Sequence, residues 1–285
     1  MDKQILNRVK KTELRVVDLY VKVRALSVET PIEGTLVGTN YIYVSANGTD
    51  VQNATELREA YNTAKTMSPA LTKRITVVAA PGNYNFELNE FVMDTQYIDL
   101  VSLDGNKSII FNSASSFGTI SITANDVFVK GVDVGTKVFT IATNLSLLKL
   151  ENCKGGNNSY GRTLIVSGTF TNCIGGQQSF GSFTSGVASG TFTGCIAGGA
   201  SFGYAGTASG IFNNCVATGA SFGTFGALSG TLISCTSDLY GFISGQLYFC
   251  RQTPNGNAVP YILPNTAGKL VAFITKDNNF IAQLP

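Results

Sequence analysis

Carboxylates are the first side chains of this chain that could do chemistry. The sequence contains no histidine, so general acid–base catalysis would fall to aspartate and glutamate. Hydrolysis of a glycosidic bond typically uses two carboxylates about 5–10 Å apart. The acids in strand-rich sequence are Asp94, Asp99, Asp104, Asp126, Asp133 and Glu151. Almost one period of the repeat described below separates Asp133 from Glu151, which could therefore lie close together.

The same two acids have a simpler interpretation, which we favour. Asp133 would occupy a tight bend, and Glu151 would be a solvated residue on a strand. The pattern therefore identifies no catalytic residue.

Six cysteines are the other reactive groups. No two of them have the close Cys-x-x-Cys spacing of structural zinc sites, so we expect no metal and no cofactor. Five of them follow the repeat, which favours buried free thiols made in a reducing compartment. A disulfide between cysteines of neighbouring repeats remains an alternative.

The residues from about Leu145 to Cys250 form a repeat with several tracks in one register. The cysteine track has steps of 20, 22, 20 and 20 residues and consists of Cys153, Cys173, Cys195, Cys215 and Cys235. A second track consists of Ser159-Tyr160-Gly161, Ser179-Phe180-Gly181, Ser201-Phe202-Gly203 and Ser221-Phe222-Gly223. Self-similarity near 20 residues is typical of a solenoid, in which each repeat buries its apolar face by stacking on its neighbours.

Each repeat has the periodicity of short strands. Thr169-Phe170-Thr171 alternates polar and apolar residues, as a half-buried strand does. The residue before each cysteine is Asn, Asn, Gly, Asn and Ser in turn, which predicts a bend with positive φ, although Ser234 fits this rule less well. We expect Val134 to take the cysteine position one coil earlier. The pattern predicts an all-β fold, a parallel β-helix whose like positions stack about 4.8 Å apart.

Charge is almost absent from the repeat. Between Gly155 and Ser237 the only charged residue is Arg162. Natural surfaces use charge for solubility, so we infer that some outer faces are covered, most simply by other copies of the chain. A disordered low-complexity segment is the alternative, and the strict register argues against it.

Residues 2–26 predict one amphipathic helix. Its apolar residues recur at alternating steps of four and three, which is the spacing of a coiled-coil seam. The seam consists of Ile5, Val9, Val16, Leu19, Val23 and Leu26, with Thr12 in the remaining core position. We expect residues 1–30 to form an α-helical stem that oligomerises, as a trimer rather than a dimer. A helix that packs within its own chain is the alternative.

Residues 31–73 predict a linker, a strand at residues 41–44 and a short helix. We expect a capping box formed by Asn53 and Glu56 at the start of this helix. The predicted core-facing side of the helix consists of Leu57, Ala60, Tyr61 and Ala64. A strand follows at residues 74–80, and the next turn is expected to use Gly82 for positive φ.

This part of the chain resembles a known family. The run Val44-Ser45-Ala46-Asn47-Gly48-Thr49-Asp50, the short helix, Ile75-Thr76-Val77 and Pro81-Gly82-Asn83-Tyr84 look like the opening of pectin-lyase-like β-helix proteins, in particular the tailspike and fibre proteins of tailed bacteriophages. The likeness covers residues 41–84, and the coil pattern extends it to about residue 250. It implies a right-handed single-stranded parallel β-helix over residues 74–250, with a cap in residues 31–73. Residues 251–285 would form a C-terminal cap or hairpin.

The resemblance also implies a function. The chain would be a structural appendage of a phage particle, a head or tail fibre, made in the bacterial host cytoplasm and attached to other virion proteins through its stem. Its β-helix would project and bind host-surface glycan or receptor. A tailspike-type polysaccharide depolymerase is the alternative, and a purely architectural protein is a third possibility. We expect no enzyme, because the most regular coils contain no acid.

Glycan binding would need exposed aromatic faces together with amide or hydroxyl groups. The repeat offers Tyr160, Arg162, Gln177, Gln178, Tyr204 and Tyr240 for that role. The alternative is that the aromatic residues of the Ser-Phe/Tyr-Gly track fill the core. The net charge of +2 gives no reason to expect nucleic acid. The sequence contains no long apolar run that predicts a membrane span, and no secretory signal is visible.

Overall fold

The computed structural model describes residues 35–37, 40–114, 119–161, 165–181, 186–219, 221–223, 227–237, 242–243, 246–248, 250–252, 271–274 and 280–283. The predicted stem, with Ile5, Val9, Val16, Leu19, Val23 and Leu26, lies outside the described residues. The described residues form a parallel β-solenoid with one helix, α1 (Asp50–Thr66).

The solenoid is organised around one long sheet. In spatial order it contains β1 (Thr35–Val37), β2 (Tyr41–Val44), β3 (Ile75–Ala79), β6 (Ile98–Ser102), β9 (Phe128–Lys130), β12 (Lys149–Glu151), β14 (Thr169–Thr171), β17 (Thr191–Thr193), β20 (Ile211–Asn213), β23 (Thr231–Ile233) and β26 (Gln246–Tyr248). Only β1 is antiparallel to its neighbour; from β2 onwards each strand pairs in parallel with the next.

Two further sides complete each turn. The second side contains β4 (Gly82–Asn85), β7 (Ile109–Asn112) and β10 (Val132–Asp133), followed by β15 (Ile174–Gly175), β18 (Ile196–Ala197), β21 (Val216–Ala217), β24 (Thr236–Ser237) and β27 (Arg251–Gln252). In the first coils the third side is a sheet of β5 (Phe91–Met93), β8 (Ile120–Ile122) and β11 (Phe139–Ile141). In the later coils it is a separate sheet of β13 (Ile165–Val166), β16 (Val187–Ala188), β19 (Thr207–Ala208), β22 (Ala227–Leu228) and β25 (Phe242–Ile243). The predicted parallel β-helix architecture is therefore confirmed.

A C-terminal hairpin lies outside this repeat. Strands β28 (Val271–Ile274) and β29 (Phe280–Gln283) pair in antiparallel fashion, as the sequence of residues 251–285 predicts.

The bend before each cysteine has the predicted left-handed backbone. Asn152, Asn172, Gly194, Asn214 and Ser234 have φ values between 52° and 61°. Serine adopts this conformation less readily than Asn or Gly. Ser234 nevertheless follows the pattern, because hydrogen bonding to the preceding coil fixes the bend: the Asn214 N–H donates to the Ile233 carbonyl.

The cysteine track continues upstream in a different register from the one expected. The backbones of Asp133 and Lys154 pair with each other across neighbouring coils. Val132, which precedes Asp133, therefore takes the position equivalent to Cys153, and Val134 does not. The bend position before it belongs to Gly131, whose φ is 83°. The prediction for Val134 is wrong because the step that ends at Cys153 begins at Val132 and is 21 residues long, not the 19 residues that Val134 would require.

The core consists of ladders of identical or similar side chains. Tyr160, Phe180, Phe202 and Phe222 stack with ring centroids 4.7–4.8 Å apart. A second column of Phe170, Phe192 and Phe212 stacks at 4.9 Å and meets the first edge-on. The ring separation matches the spacing of neighbouring strands, so the strand register fixes the stacking.

Helix α1 begins three residues before the predicted capping box. Thr49 is the N-cap, and its side chain accepts from the backbone N–H of Gln52, whose side chain accepts from that of Thr49. The capping box predicted for Asn53 and Glu56 is therefore wrong. Asn53 instead donates from Nδ2 to the Asn83 carbonyl, which joins α1 to β4.

The core-facing side of α1 is as predicted. Leu57, Ala60, Tyr61 and Ala64 are buried in the same hydrophobic core as the strands. Gly82 differs from expectation, since it does not have positive φ. A Cβ at Gly82 would lie 2.5 Å from the Ala46 Cβ, so close packing between neighbouring turns explains this glycine.

Candidate functional site: the outer surface of the regular coils

The two acids that could have formed a catalytic pair are each bound to a lysine. Glu151 Oε1 lies 2.7 Å from Lys130 Nζ, and Asp133 Oδ2 lies 3.0 Å from Lys154 Nζ. Asp133 Oδ1 also accepts from the backbone N–H of Gly135. Asp133 lies on β10 and not at a bend, so that part of the expectation is wrong. Ion pairs between neighbouring rungs account for both carboxylates.

The remaining acids have structural partners as well. Asp99 and Asp126 both pair with Arg74. Asp104 accepts hydrogen bonds from Ser102 and Ser108, and these bonds lower its pKa far below the ordinary value. A carboxyl group whose ionised form is held in this way is a poor proton donor.

Asp94 lies beside α1. Burial alone would raise the pKa of Asp94, but hydrogen bonds from Lys65 and Thr95 outweigh burial and lower it. The buried hydroxyl of Tyr61 contacts the same carboxylate, and burial raises the pKa of Tyr61 to about 12. This group of residues joins α1 to the turn after β5.

The six cysteines lie buried as thiols rather than disulfides and form a column. Each Sγ of the regular coils lies within hydrogen-bonding distance of two carbonyl oxygens, one on its own coil and one on the preceding coil, to which its single S–H can donate. Cys173 Sγ, for example, lies 3.5 Å from the carbonyl oxygens of Thr171 and Leu150. Burial raises the pKa of the Cys173 thiol well above its ordinary value, so the thiol stays protonated. Among the described residues, no group of three or more metal-binding side chains is present.

The outer surface changes character along the solenoid axis. One outer line of the long sheet runs through Lys130, Glu151, Thr171, Thr193, Asn213 and Ile233. The outer line of the second side runs through Asp133, Lys154, Ile174, Ile196, Val216 and Thr236. Both lines begin with charged pairs and continue without charge. The described residues between 155 and 237 carry no charged side chain at all.

Amide side chains mark one corner of this uncharged surface, between β15 and the Ser-Phe-Gly bend. Gln177 is exposed and Gln178 is half-buried. The backbone N–H of Gln177 donates to Asn157 Oδ1 at 2.8 Å, and the N–H of Asn158 donates to the Gln177 carbonyl at 2.8 Å. The structure therefore brings two predicted residues together with two that the sequence interpretation missed.

The predicted aromatic residues are placed less favourably. Tyr160 is fully buried, and its hydroxyl donates to the Ile174 carbonyl. Its ring fills the core and offers no face to a sugar, because it occupies the position of the stacked phenylalanines. Tyr204 is half-buried. Arg162 and Tyr240 lie outside the described residues.

Asn157 and Asn158 could have been found by aligning the coils. They precede Ser159-Tyr160-Gly161 at the positions that Gln177 and Gln178 hold before Ser179-Phe180-Gly181. The next two coils have small residues at these positions.

No protein-family model, curated protein or solved structure in the comparisons matches this chain. Within the described part of the chain, no helix combines the length and hydrophobicity needed to cross a membrane.

Proposed function

We propose that this chain is a structural appendage of a bacteriophage particle, a head or tail fibre that projects a β-solenoid from the virion and binds host-surface glycan or receptor. The observation that carries the proposal is the uncharged outer surface of a regular, ladder-stacked solenoid. Such a surface suits contact with other chains and with neutral ligands better than it suits an isolated monomer. The chain would be made in the host cytoplasm and then incorporated into the particle.

We also propose that the solenoid is right-handed and that α1 is its N-terminal cap. The helix buries apolar residues into the core beside β2, β3 and β4, and an open solenoid end would otherwise expose a core and sheet edges. The heptad seam of residues 1–30 would form a trimeric stem that attaches to other virion proteins.

The outer lines of the regular coils would contribute to the trimer. Ile196 and Val216 are 46% and 39% exposed and stack directly on one another. Burying such β-branched side chains against another copy is favourable, at about 25 cal/mol per Å² of apolar surface.

We propose no catalytic role. Asp133 and Glu151 are bound to lysines, and the pKa values of Asp94 and Asp104 are lowered. Neither arrangement resembles a general acid with a raised pKa, which glycoside hydrolysis needs.

The solution mass tests the architecture. Light scattering on the full chain should give a trimer, and deletion of residues 1–30 should weaken or dissociate it. A trimer unaffected by the deletion would place the association in the uncharged coils. A monomer in both preparations would exclude the fibre model.

A further inference from the structure

We propose that an amide ledge on the regular coils is the binding site for a neutral pyranose unit of the glycan. The ledge is formed by Asn157, Asn158, Gln177, Gln178, Gly198 and Gly199. This assignment deepens the proposed function and rests on its glycan-binding part.

The ledge arises where the amides of Gln177 and Gln178 give way to the small residues Gly199 and Ala200 on the next coil. Gly198 N–H donates to the Gly175 and Gly176 carbonyls, and Gln178 N–H donates to the Gly199 carbonyl. The amides and the two glycines therefore occupy neighbouring rungs, about 4.8 Å apart. This step is comparable with the width of one pyranose ring.

Gly199 is the residue that points to a ligand. A Cβ at Gly176 would lie 2.3 Å from Asn157 Oδ1, and one at Gly198 would lie 2.7 Å from the Gln177 nitrogen. Packing therefore requires glycine at those two positions. Among the described residues, a Cβ at Gly199 would meet only the Thr218 carbonyl oxygen, at 3.4 Å, and the backbone is outside the left-handed region. The described neighbours of Gly199 leave room for a small side chain, so we infer that an open ledge is the reason for this glycine.

The side chains around the ledge suit hydroxyl groups. A carboxamide presents both donors and acceptors, as a sugar hydroxyl does, and Gln177 is exposed. Asn158 Oδ1 is shielded from solvent and has no hydrogen-bond partner within the described part of the chain. An acceptor left unpaired in this way is uncommon, and a hydroxyl that reached the corner could satisfy it after a small rotation of the amide.

The absence of charge selects the class of sugar. The described residues from 155 to 219 contain no charged side chain. Lys137 lies one rung below Asn157, because the Gly156 N–H donates to its carbonyl, and is therefore three rungs, or about 14 Å, from Gly199. A uronate or sialate carboxylate placed on Gly198 and Gly199 would lose hydration without a counter-ion in direct contact. A neutral pyranose loses little, and its C–H face can pack on the Cα atoms of Gly198 and Gly199.

The test is saturation-transfer NMR on the full chain with methyl glucoside, methyl galactoside, methyl mannoside and N-acetylglucosamine as probes, and with glucuronate as the charged comparison. We expect at least one neutral probe to receive saturation and glucuronate to receive none.

Three variants locate the site. Gly199→Leu fills the ledge without backbone strain and should abolish the transfer. Gln178→Gly removes an amide at a residue whose φ is 56°, a conformation that glycine adopts freely, so its fold is preserved. This variant and Gln177→Ala should each weaken binding about three- to tenfold, as the loss of one hydrogen-bonding group does. Gln96→Ala, which removes an exposed amide elsewhere, is the matched control and should bind like the wild type.

Two results overturn the assignment. If no neutral probe receives saturation, the ledge binds no pyranose, and the fibre architecture is still judged separately by the solution mass. If the wild type and all ledge variants bind equally, glycan binding stands but occurs elsewhere on the chain.

Discussion

The first coils, from β3 to β12, and the regular coils, from β14 to β24, share the long sheet as one of their sides but are stabilised differently. In the first coils, ion pairs join neighbouring rungs on the outside: Arg74 binds both Asp99 and Asp126, and Lys130 binds Glu151. In the described regular coils no ion pair occurs, and ladders of Phe, Cys and Ser side chains repeat inside.

The difference shows two ways to hold successive rungs in register. Irregular coils need contacts that are specific to each rung, because their core residues differ from one turn to the next. Regular coils need none, since identical side chains stack on themselves once the strands are aligned. Charge is then not needed to hold the rungs in register.

The largest expected effect tests the internal ladders. Phe192 is fully buried between Phe170 and Phe212, with centroid distances of 4.9 Å on both sides. Phe192→Ala should lower the free energy of unfolding by about 3–5 kcal/mol, because it leaves a cavity in the stack. Urea unfolding measures this change. Thr191→Ala, on the exposed side of the same strand, should change it by less than about 0.5 kcal/mol. A loss of under about 1 kcal/mol for Phe192→Ala would mean that the ladders do not dominate stability.

A smaller effect tests the ion pairs of the first coils. Arg74→Met leaves the Asp99 carboxylate, whose side chain is 8% exposed, with the Phe128 N–H as its remaining partner. We expect a loss of about 2 kcal/mol, below the range for fully buried pairs because the Arg74 side chain is 32% exposed.

The matched control for that change is Lys130→Met. Lys130 and Glu151 are both about a third exposed, so this variant should cost under about 1 kcal/mol. Equal losses for the two variants, measured by urea unfolding, would contradict the special role of the Arg74 cluster.

A third effect tests the bends that both regions share. Asn172 has a φ of 52°, and Asn172→Ala should cost about 1 kcal/mol because alanine tolerates this conformation less well. Asn172→Gly should be close to neutral. Ser234→Gly should raise stability slightly, by up to about 1 kcal/mol, since serine is the least suited residue in this series. If Asn172→Ala were as stable as the wild type, the bends would not depend on intrinsic backbone preference.

Much of the regular region could be predicted from the sequence, because each structural position recurs in several coils with the same or a similar residue. The cysteine bends, the parallel strands and the buried aromatic track all follow from one period of about 20 residues. The first coils were harder, since each position occurs there once. Asp133 lies on β10 and Gly131 at the bend, because the step to the cysteine position is 21 residues there and not the expected 19.

The candidate site was less predictable than the fold. An exposed amide and a buried aromatic residue both fit a glycan-binding composition, and only the structure separates Gln177 from Tyr160. The role of Gly199 also depends on the distances from a Cβ at that position to its neighbours. The sequence alone cannot distinguish a glycine that packing requires from a glycine that has space for a side chain.

The smallest expected effect is a difference in sensitivity to low pH between the first coils and the regular coils. Hydrogen bonds from Ser102 and Ser108 lower the pKa of Asp104 in the folded chain. A lowered folded pKa contributes stability above the ordinary aspartate value of about 4, and this contribution is lost as the pH falls below that value. No Asp or Glu occurs between Glu151 and Asp238, so the regular coils have no carboxylate to protonate.

Hydrogen exchange followed by mass spectrometry, corrected for the intrinsic pH dependence of exchange, should therefore show protection falling between pH 6 and about pH 3 in β6 and β7 but not in β17 and β20. Asp104→Asn should lower protection in β6 and β7 at pH 6 and differ less from the wild type near pH 3. Equal losses of protection in both regions would indicate that acid acts on the solenoid as one cooperative unit, and the separation between charge-stabilised and ladder-stabilised coils would then not hold.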